Sequence, residues 1–458
     1  MARGIRPHER TTRPARQWST AGLLVVLSLC LATAAFAQRP GKRRAVPPGP
    51  AEVPPAKRQP AEPSDYGSRH FLIHTDLPAA EARDLLKQLE TMLSLVASYW
   101  GQPLKGQIEC YIVRDLNVWG EDALPAEARA KIAAKAGITT TETLNRGRRF
   151  ISGKSVVYAI ADGGTPQHEA VHAYCGQTFG NVGPLWYSEG MAELGQCWRR
   201  DEQGVFCKQH VLDYLRSQRP KGIRQIVSED GVARRRGQPA ARTGDSWQSY
   251  AWRWALCHLL ANNPNYSVRF RSLGLGYLSG SRLRFAEAFG PMLDEIDFEY
   301  RFFLANIEKG FRVDLARWDW DARFREPDST VRSRIMAQRG WQPSSVRVEQ
   351  GQRYAFQTGG RWKLDADGPA VSADGAADGR GELQGVIFRD YTLGKPFRLG
   401  ASGTWTAPAD GELYLRCGEA WSEIADNTGF VSVKIKKAAP GPTDETTPTP
   451  APAAASVN

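Results

Sequence analysis

His168, Glu169 and His172 stand in the run His-Glu-Ala-Val-His, and Glu189 follows in Trp186-Tyr187-Ser188-Glu189-Gly190-Met191-Ala192-Glu193. On a helix, residues i and i+4 share one face a turn apart, so both imidazoles reach one ion. Glu169 is one step round, near enough to act on water without ligating the metal. Catalytic zinc needs this set: three protein ligands, one open position and a nearby base. Glu189 supplies the third ligand if a second helix packs back against the first. The chain has seven histidines, and this pattern uses two of them. The competing reading is ordinary helix charges around a satisfied core histidine.

The second run, with Pro184 and Leu185 before it, resembles the W-x-x-E-G-x-A-E helix of the gluzincins, the peptidase group that includes thermolysin. The resemblance implies zinc held by His168, His172 and Glu189, with Glu169 as general base. It also places Glu193, one turn past Glu189, where it accepts the outward N–H of His168. The stretch from Ser249 to Leu260 resembles the helix that carries the transition-state tyrosine in that group. That implies Tyr250 as hydrogen-bond donor to a tetrahedral oxyanion. A packing tyrosine is the other reading of Tyr250, and His258 and Tyr187 are rival donors.

The elements that must position these residues come next. The strand-like run His70–Asp76, a helix with apolar spacing over 78–100, strands at 106–113 and 156–160 and a short helix at 125–136 make a small sheet with helices. Gly163-Gly164 turns the chain into the zinc helix, with Thr165 as its cap and Pro166 in the first turn. Residues 155–160 are the nearest candidate for an edge strand pairing with an extended substrate, as strands do in that peptidase group. Helices follow at 208–217, 247–262, 282–288 and 291–308. His70 and His74 read as structural, and Cys175 falls off the ligand face.

The N-terminus reads as an export signal. Five arginines precede an apolar run from Ala21 to Ala32, which is too short to span a bilayer comfortably, and Ala35-Phe36-Ala37 forms a cleavage site. Residues 1–37 are therefore expected to be a signal peptide and the protein exported (periplasmic, cell-surface or secreted). Six cysteines remain, and Cys197 and Cys207 are spaced to close a short loop. The formal charge of +11 is concentrated before residue 61, in the signal and in a basic, proline-rich linker over 38–68. The rest is nearly neutral, so nucleic acid is not an expected partner.

Residues 311–339 are polar and read as a connector. From 340 to 437 short strand-like runs between Gly, Asp and Pro predict an all-β sandwich, and 438–458 is a Pro/Thr/Ala-rich tail. The last part of the sandwich, Gly411–Arg416 through Asp426-Asn427-Thr428-Gly429, resembles the small calcium-dependent galactose-binding lectin of bacteria. The resemblance implies Ca2+ at Glu419, Asp426 and Asn427, and a cell-wall glycan as a partner. Glu419 and Asp426 depart from that family's residues, and a plain turn is the competing reading.

The fold class expected is therefore α+β: a gluzincin-like zinc peptidase domain over 69–310, then a lectin-like β-sandwich. The expected function is an exported zinc-dependent hydrolase, a peptidase acting on a peptide or protein with Glu169 as base. The alternative is an inactive scaffold of the same kind, serving as a cell-surface or carbohydrate-binding protein.

Overall fold

The computed structural model describes residues 22–26, 62–147, 149–199, 203–228 and 246–438. Most of the expected signal peptide and linker, and the tail from 439, lie outside these residues. The chain is an α+β protein.

A first sheet is built from β1 (Gly22–Val26), β2 (Ser64–Gly67), β3 (Phe71–Thr75), β4 (Ile108–Val113), β5 (Gly137–Arg146) and β6 (Arg149–Ile160), in the order β1-β5-β6-β4-β3-β2. β3, β4 and β6 run parallel, and β5 and β2 are antiparallel to their neighbours. Between β3 and β4 runs α1 (Ala79–Trp100), whose Ala82, Leu85, Leu86, Leu89, Met92, Leu93, Val96 and Trp100 form one buried stripe at helical spacing. It stops at Gly101, in the left-handed conformation (φ 72°). A short α2 (Ala126–Ala133) precedes β5.

Two expectations change here. β6 lies between β4 and β5, so residues 155–160 are not an edge; β5 is covered in turn by β1, laid along it with Gly22 opposite Thr143 and Val26 opposite Thr139, which leaves β1 and β2 as the outer strands among the described residues. The expected linker also contributes a strand, β2, because Asp65 and Tyr66 pair with His74 and Ile73.

Helices follow: α3 (Thr165–Phe179), α4 (Leu185–Cys197), α5 (Gln209–Ser217), α6 (Ile223–Ser228), α7 (Trp247–Asn262), α8 (Ser267–Leu278), α9 (Phe285–Phe289), α10 (Leu293–Asn306) and α11 (Val313–Ala316). No helix among the described residues is long and apolar enough to cross a membrane. Thr165 is the first residue of α3 and not its cap; Gly164 takes the cap position, and the Thr165 N–H donates to the Asp162 carboxylate at 3.1 Å.

The sandwich comprises β7 (Val331–Met336), β8 (Gln342–Val348), β9 (Arg353–Lys363), β10 (Ala370–Val371), β11 (Glu382–Arg389), β12 (Thr392–Leu393), β13 (Phe397–Arg398), β14 (Ser402–Thr406), β15 (Gly411–Gly418) and β16 (Thr428–Lys437). One sheet runs β10-β9-β16-β7 with β14 on β9; the other runs β12-β11-β15-β8 with β13 on β11. The inward residues, among them Val346, Trp362, Leu383, Leu415, Val431 and Val433, form their own core.

The sandwich begins inside the expected connector, since β7 pairs with β16 along its length. The rest of that connector is not a loose spacer either. Trp318 is buried against Phe298 of α10, Phe388 of β11 and Tyr414 of β15, and Trp421 packs on Phe302. These rings join the helical core and one face of the sandwich into one apolar cluster. The buried carboxylate of Glu299 ties the joint: it accepts from Asn263, Asn265, the Tyr266 hydroxyl, the Trp318 backbone N–H and the Trp320 indole at 2.6–3.1 Å.

Candidate metal centre

α3 crosses β5 and β6 and is buried along nearly all its length. Its fit depends on small residues beneath it. A Cβ on Gly137 of β5 would stand 2.6 Å from Cγ of Glu169, so only glycine lets that side chain lie flat on the strand. α4 then folds back along α3 and is clamped from behind by α7. A Cβ on Gly190 would lie 2.5 Å from Cys257 Sγ and 2.7 Å from the Arg253 carbonyl, so this contact also requires glycine.

The result brings the three expected ligands together. Nε2 of His168 is 3.2 Å from Nε2 of His172 and 3.2 Å from Oε2 of Glu189; Nε2 of His172 is 3.6 Å from the same oxygen. All three residues are buried, and no other group of three His, Cys, Asp or Glu side chains among the described residues is arranged to share a cation. Ligands held about 2.0–2.2 Å from a tetrahedral ion stand about 3.3–3.6 Å apart, which is the spacing found. Nitrogen, nitrogen and carboxylate oxygen are also a donor set that suits zinc.

The outward nitrogens have their own neighbours. Nδ1 of His168 lies 3.1 Å from Oε1 of Glu193, and Nδ1 of His172 lies 3.2 Å from Oγ of Ser188. Glu193 is fixed in turn by a hydrogen bond from the Gln196 amide. With a proton on each Nδ1, both Nε2 lone pairs point at one spot, which favours a cation there. Burial raises the Glu189 carboxyl, but the two imidazoles beside it, His172 foremost, outweigh that and hold it well below the usual carboxylate range.

Glu169 does not join this triangle. The Thr139 hydroxyl lies 2.8 Å from its Oε2 and 2.9 Å from its backbone carbonyl, and its one proton serves either. Oε1 is buried and has no hydrogen-bond partner among the described residues. A carboxylate oxygen in that condition is costly unless a proton donor completes it. Burial pushes the Glu169 carboxyl up, opposed first by His168 and His172. An elevated carboxyl suits a general base that must give its proton up again.

Of the three rival oxyanion donors, only Tyr250 comes close. Its ring meets the His168 imidazole edge-on, with centroids 6.0 Å apart. The Tyr187 hydroxyl faces away and accepts from the Trp100 indole at 2.9 Å. His258 is enclosed by the rings of Trp254 and Phe303. His70 and His74 are structural as expected, bound to Glu90 and Asp65 through Nδ1 at 2.8 and 2.7 Å. Cys197 and Cys207 are free thiols.

Thr139 and Ser188 were not anticipated from the sequence. Ser188 adjoins a ligand inside the motif and had a traceable signal. Thr139 belongs to Thr139, Thr141 and Thr143, three buried threonines at strand spacing whose polar face points at α3.

In the sandwich, the implied calcium residues separate. Glu419 is buried, accepts from the Asn427 amide at 2.7 Å and meets Nη1 of Arg380 at 3.3 Å, while Asp426 is exposed. Asn427 thus sits beside Glu419, but the positive charge there is a guanidinium.

No family model and no curated protein matches this chain. One solved structure, described as "EclA N-terminal domain; PllA-like lectin", is similar at 17% identity, covering 23% of this chain and 95% of that one, with a TM-score of 0.19. A likeness of this size carries no argument about function.

Proposed function

We propose that the protein is a zinc-dependent hydrolase of the gluzincin kind, an exported peptidase acting on a peptide or protein. The observation that carries this reading is the set of three ligand atoms at tetrahedral spacing, with the next residue in the chain after His168, Glu169, buried, within the electrostatic reach of all three and with no described partner for Oε1. A purely structural cation site has no use for such a carboxylate. Zinc, when bound by His168, His172 and Glu189, supplies a Lewis acid with one open position. Glu169, steered by Thr139 through Oε2, uses Oε1 to take a proton from the attacking water and returns it to the leaving amine. Tyr250, whose ring meets the His168 imidazole edge-on, is assigned the role of hydroxyl donor to the developing negative charge. Glu193 and Ser188 keep the imidazoles turned inward.

The test is metal analysis of the purified protein together with a chelator-sensitive casein or peptide assay. The natural chain should hold stoichiometric zinc and cleave. Glu169→Gln should retain the zinc and lose turnover by about 10²–10⁴-fold. A Glu169→Gln protein that cleaves as fast as the natural one removes the general base from the scheme.

A further inference from the structure

The hairpin joining β5 to β6 outreaches the sheet. Among the described residues β1 pairs with β5 only as far as Thr143 and β4 pairs with β6 only from Val156, so 144–147 and 149–155 form a two-stranded ribbon with no further described strand on it. One face is supported by the end of α3: the Phe150 ring packs where Gly180 has no Cβ, and Gly153 sits against Gly176 and Gln177. On the other face Lys154 reaches Glu109, and the residues beyond it towards the tip are exposed. On that face Leu144 stands opposite Ser152 and Arg146 opposite Arg149, with Ile151 as the extra residue at a bulge. Leu144 is 58% and Ile151 50% exposed.

This face is poorly explained by folding alone. Like charges directly across a strand pair are destabilising. Neither Arg146 nor Arg149 makes an ion pair among the described residues, and Lys154 on the same face is held by Glu109 at 3.3 Å. The nearest acid on that face, Glu142, is opposite Lys154. An external anion would supply the missing counter-charge. Large apolar side chains beside the arginines are no help in holding a soluble polyanion, but they suit a headgroup layer, where arginines reach phosphates and aliphatic chains enter the acyl boundary.

The geometry points to this ribbon as a docking surface for an anionic lipid bilayer. The proposal is independent of the metal centre. It is tested by floating the full chain with phosphatidylglycerol–phosphatidylcholine vesicles and with phosphatidylcholine alone at low salt. The natural chain should float only with the anionic vesicles. The double variant R146E/R149E should lose at least about tenfold in partitioning, and L144S/I151S about three- to tenfold. Both should keep the natural melting temperature, because the altered side chains are exposed. Absence of flotation overturns the proposal. So does natural-level binding by R146E/R149E, which would trace it to other basic residues, or by L144S/I151S, which would make the ribbon a polyanion site.

Discussion

The centre at His168 and the cluster at Glu419 both gather groups that coordinate cations, and they differ in what those groups already touch. At Glu419 the carboxylate is satisfied by Asn427 and Arg380, both from the chain itself. Around His168 the nitrogens face one another at 3.2 Å, and Oε1 of Glu169 has no hydrogen-bond partner among the described residues. Ligand-type residues lying close together are therefore a weak sign of a metal site. Donor atoms converging at tetrahedral spacing, with a buried carboxylate oxygen next in the chain that no described group completes, are a stronger one, because an unmatched buried polar atom costs about 1–3 kcal/mol.

The widest separation between the two places should come from removing one imidazole. His168→Ala is expected to weaken zinc binding by about a thousandfold or more, read by competition with a chromophoric chelator. Retention of natural affinity would break the comparison outright.

His258 sharpens it differently. Its Nε2 is also buried without a hydrogen-bond partner among the described residues, yet aromatic rings wall it in. Burial depresses the ring to about 4 from an ordinary 6.5. The unfolded chain therefore takes up a proton near pH 6.5 and the folded chain only near pH 4. Stability present above pH 6.5 should be lost as pH falls through that window, by about 3 kcal/mol. In His258→Phe this part of the slope should vanish from denaturant unfolding curves.

A smaller effect is expected one layer out. Ser188→Ala should weaken zinc about ten- to a hundredfold by releasing His172, with little change in melting temperature of the metal-free protein. The smallest belongs to the sandwich. Arg380→Met should shift the melting temperature only slightly, since the guanidinium is exposed to solvent on one side. Added calcium should leave the natural chain's melting temperature unmoved; a rise would mean that Arg380 yields its place.

The core of the candidate site was legible because its information is local. Helical spacing fixes His168 and His172 relative to each other, and Glu189 follows in a short, distinctive run. The helices at 78–100, 208–217 and 247–262 were equally plain from their apolar spacing. What escaped was long-range. β5 is rich in threonine and shows no apolar alternation, so neither the strand nor the grip of Thr139 on Glu169 could be read. Trp318, Trp320 and Phe324 lie among charged neighbours and pass for a linker, because the surfaces that bury them come from β11 and β15, far along the chain. At Glu419 the contact hidden from the sequence is Arg380, which pairs with it from far along the chain.

The shared aromatic joint around Trp318 and Glu299 has a consequence for how such a molecule can change. A module that folds by itself can be shed, exchanged or duplicated at little risk. Here, cutting the chain before β7 would strip cover from Phe298, Phe302 and Trp318 together and leave a sticky apolar scar on the half that carries His168. The sandwich thus covers its neighbour's interior, and the two parts should unfold as one cooperative unit.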